Sequence, residues 1–326
     1  MGNKIVSFGE IMLRLTPPDK QLIAQASSFD GCYGGSEANV LVCLSCLGDK
    51  TEYLTALPKN DLGLAVTRHL NTFGVGTNHV IHQGDRLGMY FLSESAGERP
   101  AAVIYNRKDS EVSKLDVGAF DFNDIFKDCS IFHVSGISFA ISESSKRLCF
   151  ELIKAAKERN ILVSFDFNYR SKLWSIPQAA ETYRQILPHV DIVFASQKDL
   201  DVFVEADIEI FFKTYKCKTV FLREKIIDKL GNGTVSVTVA HKHDGELTIY
   251  PKQTTNFTVI ERIGSGDAFA GGVLHVLNKN QNDIIGAVQC GVTCFVLKHG
   301  IKGDAFTMGK DSILLFNNNF SKDVVR

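Results

Sequence analysis

Ile263-Gly264-Ser265-Gly266-Asp267-Ala268-Phe269-Ala270-Gly271-Gly272 is the stretch on which the reading of this chain turns. Two glycines permit a tight turn, and the small residues behind them read as the first turns of a buried helix. The first N–H groups of a helix lack an intrahelical partner, and together with the helix dipole they make a place for an anion. Asp267 stands where a carboxylate takes a proton from an attacking hydroxyl beside that anion. From these residues alone two readings stand: a site that moves phosphate onto an alcohol, or a glycine turn with Asp267 as the helix cap. The run fails as a dinucleotide fingerprint, because Phe269 occupies the third glycine position, and the chain contains no Gly-x-x-x-x-Gly-Lys-Ser/Thr loop.

Working outward, β-branched runs alternate with helical patterns. Strand-like runs stand at Ile5–Phe8, Ile131–Val134, Ile161–Phe165, Asp191–Phe194 and Thr219–Leu222. A helix opening at Ser142 carries Leu148, Leu152 and Ala155 on one face, and another, capped by Asp61, runs from Leu62 to Phe73 and stops at Gly74. Such alternation predicts an α/β fold, a mostly parallel sheet covered by helices on both faces. Residues 13–33 and 88–107 break the pattern. The second stretch holds two strand-like runs joined by Glu98-Arg99-Pro100, a hairpin inserted between α/β units, and both stretches are predicted to form a small accessory sheet. A further hairpin pairs Thr234–Thr238 with Glu246–Tyr250 across Asp244-Gly245. The expected layout is an α/β body of 1–12, 35–86 and 109–316, a β layer of 13–34 and 87–108, and a fraying tail, 317–326.

The composition narrows the partners. A net charge of -1 over 326 residues gives no basic footprint for nucleic acid. No apolar run reaches the length of a membrane span and no signal peptide is visible, so no membrane partner and a cytoplasmic location are expected. The eight cysteines then read as thiols. Cys43 and Cys46 sit in one apolar helical run, and Cys290 and Cys294 in another, which points to core packing. His241 and His243 read as strand residues beside a turn, not as metal ligands.

Three more constellations carry polar groups. Gly34-Gly35-Ser36-Glu37-Ala38-Asn39 opens a helix, either as a ligand loop in which Asn39 bonds a hydroxyl or as an ordinary helix start capped by Ser36. Asp166, Asn168 and Arg170 alternate along one side of an extended segment at a strand's carboxyl end, where open sheets bind ligands. Arg107 and Arg170 are either surface ion pairs or a two-cation clamp for a carboxylate or phosphate.

The order of these pieces resembles the ribokinase-like (PfkB) sugar kinases over essentially the whole chain. Gly34–Asn39 is similar to the N-terminal glycine signature of that family, and Gly264-Ser265-Gly266-Asp267 to its C-terminal one. Within the family the chain most resembles the 2-keto-3-deoxygluconate kinases, on Phe8–Leu15, Tyr90, Tyr105–Lys108, Asp166–Arg170 with Leu173-Trp174, and Gly303-Asp304. The resemblance implies a three-layer αβα sandwich with a small β lid that also pairs two subunits as a homodimer. It implies an ATP-dependent transfer, with Mg2+, to the primary C6 hydroxyl of a sugar acid, giving 2-keto-3-deoxy-6-phosphogluconate from 2-keto-3-deoxygluconate. Asp267 would be the general base, and Gly264, Ser265 and Gly266 the anion hole. Gly34, Gly35, Asn39, Tyr90, Tyr105, Arg107, Arg170 and Asp304 would contact substrate. Asn168, Ser196, Asp199, Arg223, Gly264 and Gly266 would face the nucleotide, with Asp199 bearing on Mg2+ directly or through water. Two departures stand out: the family's Asn-x-x-Glu is Ser196-Gln197-Lys198-Asp199, and the nucleotide loop begins Leu222-Arg223-Glu224-Lys225. Fructokinase or another sugar kinase, and a non-catalytic sugar-binding relative, are the alternatives.

Overall fold

The computed structural model describes residues 4–318. Thirteen strands are assigned within them: β1 (Lys4–Phe8), β2 (Met12–Thr16), β3 (Asp30–Gly34), β4 (Lys50–Leu57), β5 (Val80–His82), β6 (Met89–Ser93), β7 (Ala102–Asn106), β8 (Cys129–Ser135), β9 (Leu162–Asp166), β10 (Ile192–Ala195), β11 (Thr219–Ile227), β12 (Asn232–His243) and β13 (Glu246–Thr258). Nine make one sheet in the order β13-β12-β11-β10-β9-β8-β1-β4-β5. Its pairs from β11 to β5 are parallel, while β12 and β13 add antiparallel. The helices are α1 (Ser36–Cys46), α2 (Asp61–Thr72), α3 (Phe122–Ile125), α4 (Gly136–Ala140), α5 (Glu143–Glu158), α6 (Ile176–Ile186), α7 (Gln197–Phe203), α8 (Ile208–Thr214), α9 (Ser265–Leu277), α10 (Ile284–Lys298) and α11 (Lys310–Asn318).

Strand residues alternate between two cores, one on each face of the sheet. Val6 and Phe8 of β1, Phe132 and Val134 of β8, and Val220 and Leu222 of β11 join Leu148 and Leu152 of α5 and Tyr183 of α6. Ile5, Ile131 and Phe221 face the other way, toward Leu41 and Leu44 of α1, Phe269 and Val273 of α9, and Phe295 of α10. Each such side chain, fully buried, contributes about 1.5–3 kcal/mol. The result is the expected three-layer αβα sandwich. Cys43 and Cys294 are buried in the contact between helices, and burial pushes the Cys43 thiol up.

The small sheet has the order β3-β2-β6-β7, with β2 and β6 parallel and both flanking pairs antiparallel. Residues Gly9–Ile11 are all that separate β1 from β2, and β3 runs directly into α1. The small sheet is therefore held at the carboxyl ends of the parallel strands.

Local details differ from the sequence reading in three places. Asn60, not Asp61, caps α2: its side chain accepts from Leu62 N at 3.0 Å, and Asp61 is already helical because only Asn60 keeps extended backbone. The β12–β13 hairpin is far longer than its hydrophobic runs suggested, and it turns through Asp244 and Gly245 at φ 49° and 90°. Its register shifts between Val237 and Val239, opposite Pro251, which has no N–H to give to a ladder. Helix α11 runs to Asn318, and the rest of the expected tail lies outside the described residues. Among the described residues no helix is long and apolar enough to cross a membrane.

Candidate active site

A cavity of about 730 Å³ opens beyond the carboxyl ends of β9, β10 and β11, with β6 and β7 of the small sheet on its rim. Every residue singled out from the sequence as a candidate lines it: Gly34, Gly35, Asn39, Tyr90, Tyr105, Arg107, Asn168, Arg170, Ser196, Asp199, Arg223, Gly264, Ser265, Gly266, Asp267 and Asp304.

Gly264 is the N-cap of α9, so Asp267 is the third helical residue rather than the cap. The N–H groups of Ser265, Gly266 and Asp267 precede the first intrahelical bond, which Ala268 N makes to Gly264 O at 2.9 Å. Gly264 has a φ of 76°, and a Cβ there would overlap the Asp304 carbonyl oxygen. Only glycine fits.

Both carboxylate oxygens of Asp267 are oriented from α1. Ser36 Oγ donates to Oδ1 at 3.0 Å and Asn39 Nδ2 to Oδ2 at 2.7 Å. Asn168 Nδ2 in turn donates to Ser36 Oγ at 2.6 Å, which aims that hydroxyl. Ser36 is thus no cap; the cap of α1 is Gly35, and the serine hydroxyl serves the aspartate instead. Burial raises the Asp267 carboxyl above its ordinary range, opposed by the bonds from Asn39 and Ser36 and by the charges of Arg170 and Arg223. A raised carboxylate is a better proton acceptor.

The polar triplet after β9 is not extended throughout. Asn168 sits at φ 37°, and its N–H bonds Asp166 Oδ1 at 3.0 Å, so the chain curls around the aspartate. Asp166 is pushed up to about 7, first by burial and then by Asp267 and Asp199, against Arg223 and Arg170. A carboxyl that binds its proton more tightly when folded loses stability as pH rises from its ordinary value toward the folded one. Between about pH 4 and pH 7, wild-type thermal stability should therefore fall more steeply than that of Asp166→Asn, measured by melting in a pH series. Parallel curves would remove Asp166 as the cause.

On the small-sheet side Arg107 is not free. It is mostly buried and ion-paired with Glu10, which follows β1, and it lies 5.7 Å from the Tyr105 ring centre. Asp304 likewise has partners on both oxygens: Arg14 Nη1 donates to Oδ1 at 2.6 Å, and the Tyr90 hydroxyl donates to Oδ2. Arg14 Nη2 also reaches Glu261 at 2.8 Å. Arg170 is exposed on the cavity wall and donates to its own neighbours' carbonyls.

The opposite wall is cationic. Arg223 packs over Phe269 and Phe295, at 5.7 and 5.2 Å from their ring centres. Lys225 is pushed down to about 8 by desolvation and by the charges of Arg223 and Arg262. Ser196 and Asp199 form a capping box on α7, with Asp199 Oδ2 accepting from Ser196 N at 2.8 Å and Oγ at 2.7 Å. Sequence reasoning missed Ser36, Lys198, Lys225, Arg262 and Glu10 as lining residues. Arg262 stands one residue before the glycine run and could have been found there.

The family model described as "pfkB family carbohydrate kinase" matches residues 3–308. A 2-dehydro-3-deoxygalactonokinase of Haloferax volcanii is 32% identical over 314 residues, 96% of each chain. The crystal structure of a 2-dehydro-3-deoxygluconokinase from Thermotoga maritima superposes with a TM-score of 0.89 at 31% identity, covering 98% of this chain and 99% of that one. An Escherichia coli chain solved in complex with ATP and Mg2+ shares the fold, with a TM-score of 0.81, 20% identity, and coverage of 97% and 99%.

Proposed function

The chain belongs to the pfkB family of carbohydrate kinases, and on that premise we propose that it phosphorylates the C6 hydroxyl of a 2-keto-3-deoxy sugar acid, with 2-keto-3-deoxygluconate as the leading substrate. One observation carries this reading: Asp267, aimed by Ser36 and Asn39, stands in the first turn of α9 beside that turn's free N–H groups. The sugar hydroxyl gives its proton to Asp267 as it attacks the γ-phosphorus of ATP, and ADP leaves. The N–H groups of Ser265, Gly266 and Asp267 meet the charge that develops on the transferring phosphoryl. Arg223, Lys225 and Arg262 crowd like charges on one wall, and a polyphosphate relieves that repulsion. The residues fit Mg2+: burial and the charges of Asp267 and Asp199 make Asp166 costly to ionise, and Asp199 keeps Oδ1 outside its capping bonds. When bound, Mg2+ would supply charge neutralisation on the phosphates. The small sheet acts as a lid that excludes water from the transferring group, and a dimer would form through it.

The sugar carboxylate falls to Arg170, since Arg107 is neutralised by Glu10. Arg170→Leu should raise KM for the sugar acids several-fold while leaving KM for neutral sugars and thermal stability unchanged. Arg107→Leu should instead cost about 3–5 kcal/mol of stability, because Glu10 would be left buried and unpaired. Equal effects of Arg170→Leu on acids and neutral sugars would rule out the carboxylate contact. The deciding assay is ATP-dependent turnover on 2-keto-3-deoxygluconate, its galacto epimer, fructose and ribose. The two acids should far exceed the neutral sugars; comparable turnover on fructose would overturn the proposal.

A further inference from the structure

Lys298 ends α10 with its side chain wholly buried. An ammonium taken out of water is costly unless fixed dipoles replace the hydration it loses. Here the replacements are main-chain oxygens: Nζ donates to the carbonyls of Ile301 at 2.9 Å and Gly303 at 2.8 Å. Burial favours the neutral amine, while the charges of Glu261 and Asp304 favour the ammonium. The loop carrying those carbonyls supports the start of α9. The Asp304 carbonyl fills the space a Gly264 side chain would need, and Lys298 Cε lies 3.4 Å from that same point. A second tie runs beside the first. His299 O accepts from Ile260 N and Glu261 N, both at 2.9 Å. Glu261 Oε1 then accepts from Arg262 N at 2.8 Å and Ile263 N at 3.1 Å. Both chain segments that meet at the cap of α9 thus hang from the end of α10.

We propose that Lys298 is a positioning residue for phosphoryl transfer. Its buried ammonium holds the 301–304 loop against Gly264 and so sets the direction of the N–H groups of Ser265, Gly266 and Asp267. The inference rests on the anion-hole reading given above. Lys298 lies behind the cavity wall rather than on it, so its loss acts on the reacting geometry and not on substrate contacts.

Lys298→Met keeps the volume and removes the charge. It should lower kcat roughly 10- to 100-fold while KM for ATP and sugar stays within about two-fold, the pattern of misplaced catalytic groups. Lys298→Ala should lose as much and recover part of its kcat with propylammonium, which replaces the deleted atoms; lost packing alone would not respond to a cation. A wild-type kcat in folded Lys298→Met, a loss confined to KM, or a Lys298→Ala indifferent to the amine would overturn the inference. If neither variant folds, Gly303→Ala takes over: a Cβ there meets nothing within 4 Å, but the φ of 91° forces the carbonyl to move. It should show the same kcat loss at steady KM, and unchanged kcat would overturn the inference. Asp267→Asn in the same assay separates the two levels. An active Asp267→Asn removes the base, and with it the assignment of this site to phosphoryl transfer on which the inference rests, whereas an inactive one beside a wild-type Lys298→Met removes only the role of Lys298.

Discussion

Asp267→Asn should cut turnover by about 10²- to 10⁴-fold, the range a positioned general base supplies, while leaving the fold at least as stable as wild type. The side chain keeps its shape, so Asn39 Nδ2 still finds an oxygen and Ser36 Oγ meets an amide instead. What disappears is the ability to take the hydroxyl proton. Stability moves the other way for an electrostatic reason. Burial holds the Asp267 carboxyl above its ordinary range, so ionising it costs more in the folded protein than in the unfolded chain. Replacing it with a neutral amide removes that cost. ADP release and thermal melting, taken together, give the check: low turnover with an equal or higher Tm is expected. Near-wild-type turnover would remove Asp267 as the base, and a lowered Tm would contradict the electrostatic account.

Gly264→Ala should damage both stability and turnover. The alanine would have to hold a left-handed conformation, worth about 1–3 kcal/mol by itself, and its methyl would overlap the Asp304 carbonyl. That carbonyl cannot retreat freely, because the loop behind it is tied to Lys298. Gly118 supplies the control. It also has a positive φ, 93°, but open space where a Cβ would stand, so Gly118→Ala should cost strain alone and leave turnover intact. Similar kcat values for the two variants would show that the cap of α9 tolerates displacement.

The fold was legible because it is written in local pattern. Ile5, Val6 and Phe8, or Ile131, Phe132 and Val134, stand in the near-continuous apolar runs that a parallel sheet with two covered faces requires. The glycine run before α9 was legible for a similar reason: backbone freedom and small volume leave a trace in composition. Pairings between distant residues leave none. Arg14 and Asp304 are 290 positions apart, and no periodicity predicts that they meet. The same blindness left Arg107 open between an ion pair and a ligand clamp, and its partner, Glu10 just past the end of β1, went unseen. Ser36 was misjudged because a serine at a helix start has two uses, capping its own helix or reaching another, and only the position of Asp267 decides between them. Asn168 escaped because asparagine, unlike most residues, tolerates left-handed backbone, and nothing in the polar triplet says it does so here.

The rim of the large sheet has a consequence for how the molecule behaves in company. A long outer strand is a template that recruits a stray chain through its unpaired amides, the first step toward aggregation. At β13 that template is interrupted halfway along, where Pro251 and the register shift stand and Lys252 adds a charge. The opposite rim, β5, is three residues long and too brief to recruit anything. Replacing Pro251 with valine would lengthen the uninterrupted ladder, and the concentrated protein should then clump on storage where the parent stays clear.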